Sequence, residues 1–139
     1  MSSSGGVIDS TGVYLLDSSV FIRSLRGDAN ISARIDRARQ VYVSSIVLGE
    51  LYYGAFGSPT RADAAWSEVE TIEQTVVVLA PDGATARIYA RVKNSLKRQG
   101  LTLPDNDLWI AATAILYDIT LAARDVHFDW ITGLRVEQW

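Results

Sequence analysis

Short apolar runs separated by longer helical stretches limit most strongly how this chain can fold. VYLL at Val13–Leu16 ends against Asp17, VYV fills 41–43, TVVVL fills 75–79, ITLA fills 119–122 and LRV fills 134–136. Each run is too short for a stable helix and rich in β-branched or large apolar residues, so each reads as a strand. The segments between them read as helices: 18–26 closed by Gly27, 31–40, 45–56 capped by Ser44 or Ser45, 61–74, 82–98 stopped by Gly100, and 105–117. In the last of these, Asp105 follows Pro104 and is the expected N-cap. Strands alternating with helices predict an α/β domain with a parallel sheet covered by helices on both faces.

Length and composition fit one such domain. A chain of 139 residues can bury a full core, and 48% hydrophobic against 21% charged residues is ordinary for a folded soluble protein. The Ser/Gly-rich residues 1–12 read as a flexible tail, leaving 13–139 as a single domain. They carry neither a basic leader nor an apolar signal region. The absence of cysteine removes disulfides, thiolate chemistry and cysteine-based zinc sites. It suits a cytoplasmic setting. Net charge is −3, which for an unclustered charge distribution argues against a nucleic-acid partner. Setting four carboxylates aside around cations reverses this, because −3 without them leaves +1 for the rest of the chain.

Four acids stand in unusual places. Asp17 closes the first strand, and ligands of open α/β sheets bind outside the carboxyl ends of strands. Asp125 follows the fourth strand in the same way. Either acid also serves as an ordinary helix N-cap. Glu50 has Ile46, Val47, Tyr53 and Gly54 as its helical neighbours, and a carboxylate on an apolar face is costly unless paired or metal-bound. Asp107 enters the buried-looking helix 105–117 in its first turn, where an acid also complements the helix dipole. An all-oxygen set of this kind selects hard cations, Mg²⁺ or Mn²⁺. Such ions suit phosphodiester hydrolysis. One histidine, His127, is too few for a histidine-rich zinc or copper site. No Walker A, GxGxxG or GxSxG pattern is present.

The segments YLLDSSVFI, VYVSSIVLGELYYG, NDLWIAATAI and ARDVHF, taken in order, resemble the PIN-domain ribonucleases, and among them the VapC-type toxins of type II toxin–antitoxin systems. The likeness runs over residues 13–139. It implies a PIN-like doubly wound three-layer α/β/α fold and a Mg²⁺- or Mn²⁺-dependent endoribonuclease. Its acidic quartet falls on Asp17, Glu50, Asp107 and Asp125. It also implies an RNA substrate, a homodimer and a cognate antitoxin protein that inserts near the active site. The family often has Thr or Ser two residues before the fourth acid, where this chain has Ala123. The alternatives are a non-catalytic binding module on the same fold, or a PIN nuclease of RNA processing that is not a toxin. A phospho-receiver domain would want adjacent acids after the first strand, and the chain has Asp-Ser-Ser there.

Substrate contacts are expected from bases. Between Asp82 and Asp105 stand Arg87, Arg91, Lys93, Lys97 and Arg98 with no acid among them. Such a stripe holds RNA phosphates or is simply a solvated helix face. Arg23 and Arg26 lie close after Asp17, placed to contact either substrate or an antitoxin carboxylate. Tyr52, Tyr53 and Phe56 are candidates to line a groove for an antitoxin helix, ordinary core packing being the alternative.

Overall fold

The computed structural model describes residues 11–139. Five strands, β1 (Val13–Leu16), β2 (Gln40–Ser44), β3 (Val77–Leu79), β4 (Thr120–Ala123) and β5 (Val136–Gln138), form one sheet in the order β3-β2-β1-β4-β5. Every neighbouring pair is parallel. Six α-helices connect them: α1 (Ser18–Leu25), α2 (Ala29–Arg37), α3 (Ser45–Ala55), α4 (Ala62–Glu73), α5 (Gly83–Arg98) and α6 (Asp105–Tyr117). The expected α/β/α architecture is therefore present.

The core explains why the strands read as apolar runs. A parallel sheet is covered on both faces, so its central strands have no solvent side. Leu15, Leu16, Val43, Leu121, Ala122 and Ala123 are all buried. The helices close over them with Val20, Val47, Leu108 and Ile110. α6 is apolar nearly all round because it is buried nearly all round: Ala111, Ala112, Thr113 and Ala114 are inaccessible. The Thr113 hydroxyl is satisfied inside the helix by donating to the Trp109 carbonyl at 2.9 Å.

Several boundaries differ from the expectation. The last strand lies at 136–138 and not 134–136. Gly133 takes the left-handed region at φ 88°, and the Leu134 N–H turns back to the Ile131 carbonyl. Pairing with β4 then starts at Val136. β2 begins at Gln40, so α2 ends earlier than expected, and Thr75 and Val76 belong to the turn before β3. Asp105 is not the N-cap of α6. Pro104 occupies that position, and Asp105 is the first helical residue. Its carboxylate instead accepts hydrogen bonds from Lys93 Nζ at 2.9 Å and Tyr89 Oη at 2.8 Å, both on α5. Tyr89 also stacks on Trp109 of α6, ring centroids 4.1 Å apart. The first turn of α6 is thus bolted to its neighbour rather than capped locally. Of the expected tail, only Thr11 and Gly12 fall within the described residues, and they form the turn leading into β1.

Candidate active site

The strand order reverses direction at β1, between β2 on one side and β4 on the other. A crevice at the carboxyl ends of such strands is where an open α/β sheet receives a ligand. Asp17 and Asp125 stand there, one after β1 and one after β4.

Asp17 prolongs the β1–β4 pairing, its N–H donating to the Ala122 carbonyl at 2.9 Å. Its backbone is extended at the N-cap position of α1, but its side chain makes no cap bond. The carboxylate is only 5% exposed, and Oδ1 is buried without a hydrogen-bond partner. Burial pushes its pKa up to about 6; the Ser18 N–H pulls the other way, and Asp107, Glu50 and Asp125 add repulsion. An orphaned, like-charge-crowded carboxylate is a costly arrangement for a protein that never places a cation there.

Glu50 comes from α3. Ser44, fully buried at the end of β2, caps that helix by accepting from the Ile46 N–H at 3.1 Å. Glu50 lies well inside the helix and is partly buried. Ser18, the first residue of α1, donates its hydroxyl to Glu50 Oε1 at 2.6 Å, so the neighbour of one acid aims another. Asp107 enters from the first turn of α6. It is partly buried, and its pKa is raised by burial and by the charges of Glu50 and Asp125. Asp125 is more exposed. It caps the short 3-10 helix Val126–Trp130 by accepting from the His127 N–H at 2.9 Å, and its Oδ1 also lies 2.9 Å from His127 Nδ1.

The fold therefore brings all four sequence-predicted acids within one another's electrostatic field. Among the described residues, no three His, Asp or Glu side chains are already gathered into a ready-made metal cage. Their mutual repulsion opposes such gathering, and Glu50 and Asp125 are held by Ser18 and His127. Donor chemistry still fits a hard cation: the four carboxylates are all oxygen ligands and one has a free buried oxygen. Ala123, where a hydroxyl was expected on family grounds, is wholly buried beneath this edge.

The predicted substrate-binding arginines are not drawn into the acid cluster. Arg23, in the last turn of α1, pairs loosely with Asp28 at 3.5 Å. Arg87 and Arg91 are exposed on α5. None of the three forms an ion pair with the four acids. Ser18 was missed by sequence reasoning; its proximity to Asp17 was visible, but its bond to a residue on another helix was not.

An apolar cavity of about 770 Å³ opens beside Glu50 between α1, α3 and α4, lined by Ile22, Leu25, Leu51, Val69 and Ile72. Tyr52, Tyr53 and Phe56 do not line it; Tyr52 and Phe56 pack on Trp66, with ring centroids 4.4 and 5.7 Å away. Tyr53 is 80% exposed and Phe56 64%.

Comparison with known proteins agrees with this geometry. The family model described as PIN domain matches residues 14–134. Ribonuclease VapC1 of Haemophilus influenzae strain R2866 is 31% identical over 134 residues, covering 91% of this chain and 98% of its own. Among solved structures, VapBC-1 from nontypeable Haemophilus influenzae superposes with a TM-score of 0.83 at 30% identity, over 91% of this chain and 98% of that one. VapBC-5 from Mycobacterium tuberculosis, a member of the VapBC family of toxin-antitoxin systems, superposes with a TM-score of 0.68 at 26% identity, over 91% and 96%. A parallel sheet with its acids at the switch point, and a match over nearly the whole domain, place this chain in the PIN-domain family, among the VapC ribonucleases.

Proposed function

We propose that this protein is an endoribonuclease, the toxin of a toxin–antitoxin pair, and that Asp17, Glu50, Asp107 and Asp125 form its catalytic centre. The observation that carries this reading is the convergence of four acids, far apart in sequence, on one strand-end crevice where Asp17 keeps a buried, unpartnered oxygen. The four carboxylates would hold Mg²⁺ or Mn²⁺. When bound, such ions stabilise charge on the phosphoryl group and lower the pKa of coordinated water.

The chain's own residues supply the rest. Asp17 and Glu50 are set by rigid surroundings, the first by the β1–β4 pairing and the second by Ser18. Asp107 has no hydrogen-bond partner among the described residues, which leaves its carboxylate open to bind an ion or to accept a proton from attacking water. Its helix is held to α5 through Asp105, Lys93 and Tyr89, which keeps the acceptor oxygen in place. The apolar cavity next to Glu50 suits a helix of the antitoxin, whose apolar face would meet Ile22, Leu25 and Leu51 while a basic side chain approached Glu50. We also assign an RNA substrate, a homodimer and a cytoplasmic setting to this reading. No helix of the described residues is long and apolar enough to cross a membrane.

The test is cleavage of RNA in Mg²⁺ or Mn²⁺ by the wild type, Asp17→Asn and Asp107→Asn. Cleavage should require metal and fall at least a hundredfold, by the loss of a metal ligand or proton acceptor (roughly 10²–10⁴). Equal cleavage by all three proteins would refute the mechanism.

A further inference from the structure

A second concavity of quite different chemistry runs along α2, beside the residues that follow β4 and end β5. It encloses about 650 Å³ and is lined by Arg23, Asp28, Arg34, Arg37, Arg124 and Trp139 among others. Four arginines face one acid. That acid, Asp28, is already engaged: it caps α2 by accepting from Asn30 and Ile31, and it pairs with Arg23 at 3.5 Å.

The four guanidinium groups do different work. Arg124 donates to the Trp139 carbonyl and so ties the chain after β4 to the end of β5. Arg34 lies over the Trp139 ring, 5.7 Å from its centroid, and reaches Glu137 only at 3.8 Å. Arg37 is exposed and has neither a hydrogen bond nor an ion pair within the described residues. Arg23 is half exposed. Structural needs account for Arg124 but leave Arg34 and Arg37 presenting charge to solvent in a chain whose net charge is −3.

Position gives this charge a purpose. α1 begins at Asp17 and ends with Arg23 in this pocket, and Arg124 is the residue before Asp125. One end of the basic concavity therefore adjoins the acidic crevice, while Arg34 and Arg37 extend it along α2 toward Gly12 and Tyr14. We propose that this arginine pocket is a phosphate-binding subsite that holds the RNA backbone beyond the scissile bond. Its role as a subsite rests on the ribonuclease reading above.

The ligand feature recognised is phosphate and not base. The indole of Trp139 is only 8% exposed and packed against Tyr14, ring centroids 4.8 Å apart, so it offers no open stacking face. Arginine forks match phosphate oxygens well, and such contacts position a strand without reading sequence. They also offset a local problem: an acidic crevice repels a polyanion until cations arrive, and a basic neighbour attracts it.

The experiment measures anisotropy of a short fluorescein-labelled single-stranded RNA, titrated over a range of salt with Mg²⁺ present. An Asp107→Asn background suppresses cleavage. Adding Arg34→Gln and Arg37→Gln should weaken binding and reduce the slope of log affinity against log salt by about 1.4, about 0.7 for each phosphate no longer neutralised. Arg61→Gln, an exposed base at the start of α4 outside both basic clusters, should leave the slope unchanged. If the pocket pair fails to fold, Arg37→Gln alone carries the test with a drop of about 0.7. An unchanged slope, or a drop in the Arg61 control equal to that of Arg37→Gln, overturns the subsite. So does tighter, pocket-dependent binding of a labelled polyglutamate peptide, which would make this a seat for an acidic protein. Wild-type RNA cleavage is measured beside it. Cleavage with an unchanged slope removes the pocket and keeps the ribonuclease; no cleavage removes the ribonuclease, and with it the role assigned to the pocket.

Discussion

Replacing Asp17 by Asn should make the metal-free protein more stable at neutral pH. The native state retains a proton on Asp17 up to about pH 6, while an ordinary aspartate releases it near 3.8. Between those values the native state binds more protons than the unfolded chain, so stability falls as pH rises. A gap of about two units corresponds to about 3 kcal/mol lost once the pH is above 6. The first cause is burial; repulsion from Asp107, Glu50 and Asp125 adds to it. Asn has nearly the same size and never ionises, so the variant avoids this loss. It keeps a polar group in the same partner-poor place, which contributes an offset of about 1 kcal/mol that does not depend on pH. The assay is urea unfolding in EDTA at a series of pH values from below 4 to 7. The variant should gain up to about 3 kcal/mol on the wild type across that range, or roughly 10 °C in Tm. The two proteins should run parallel below pH 4, where Asp17 is protonated folded and unfolded. A stability difference that does not change with pH would refute the argument, because the buried charge would then have no cost to remove.

Two more substitutions probe how the site is supported. Ser18→Ala removes the hydroxyl that aims Glu50 and should weaken Mn²⁺ binding by about tenfold or more, as read by calorimetry, with the fold intact; unchanged affinity would show that Glu50 is oriented without it. Ser44→Ala removes the cap of α3 and should cost about 1–2 kcal/mol in chemical unfolding, since its buried hydroxyl serves the Ile46 N–H, whereas a cost near zero would assign α3's stability to its packing alone.

The sequence made some of this legible and hid the rest for physical reasons. VYLL ending in Asp17 reads directly as a strand leading to a site, because apolar character and chain direction are local properties. α6 is legible for the same reason. LRV misled, because Leu134 is apolar yet sits in the turn shaped by Gly133; a turn that consumes an apolar residue looks like strand until pairing with β4 is known. Asp105 fits every local rule for an N-cap, but Lys93 and Tyr89 claim it from a neighbouring helix, and helix packing is not written in local spacing. Asp17, Asp107 and Asp125 each had an innocent alternative as cap or dipole partner, and Glu50 one as a solvated acid at the edge of an apolar face; Asp125 does act as a cap as well. Their common field emerges only once the strand order is known. The same holds for Arg23, Arg34, Arg37 and Arg124, which share no stripe in the sequence and meet only in the fold.

The central place of β1 has a consequence for synthesis on the ribosome. β1 finds one partner at Gln40–Ser44, which follows it closely in the chain, but its other partner, Thr120–Ala123, is made much later. Asp17 lies at the seam closed by that late pairing. Long-range parallel pairing is slow and has no local precursor. A nascent chain halted before Thr120 holds Asp17, Glu50 and Asp107 but lacks the strand that brings Asp125 beside them. For a nuclease tethered to a ribosome and surrounded by RNA, this topology delays assembly of the centre until β4 and Asp125 have been made.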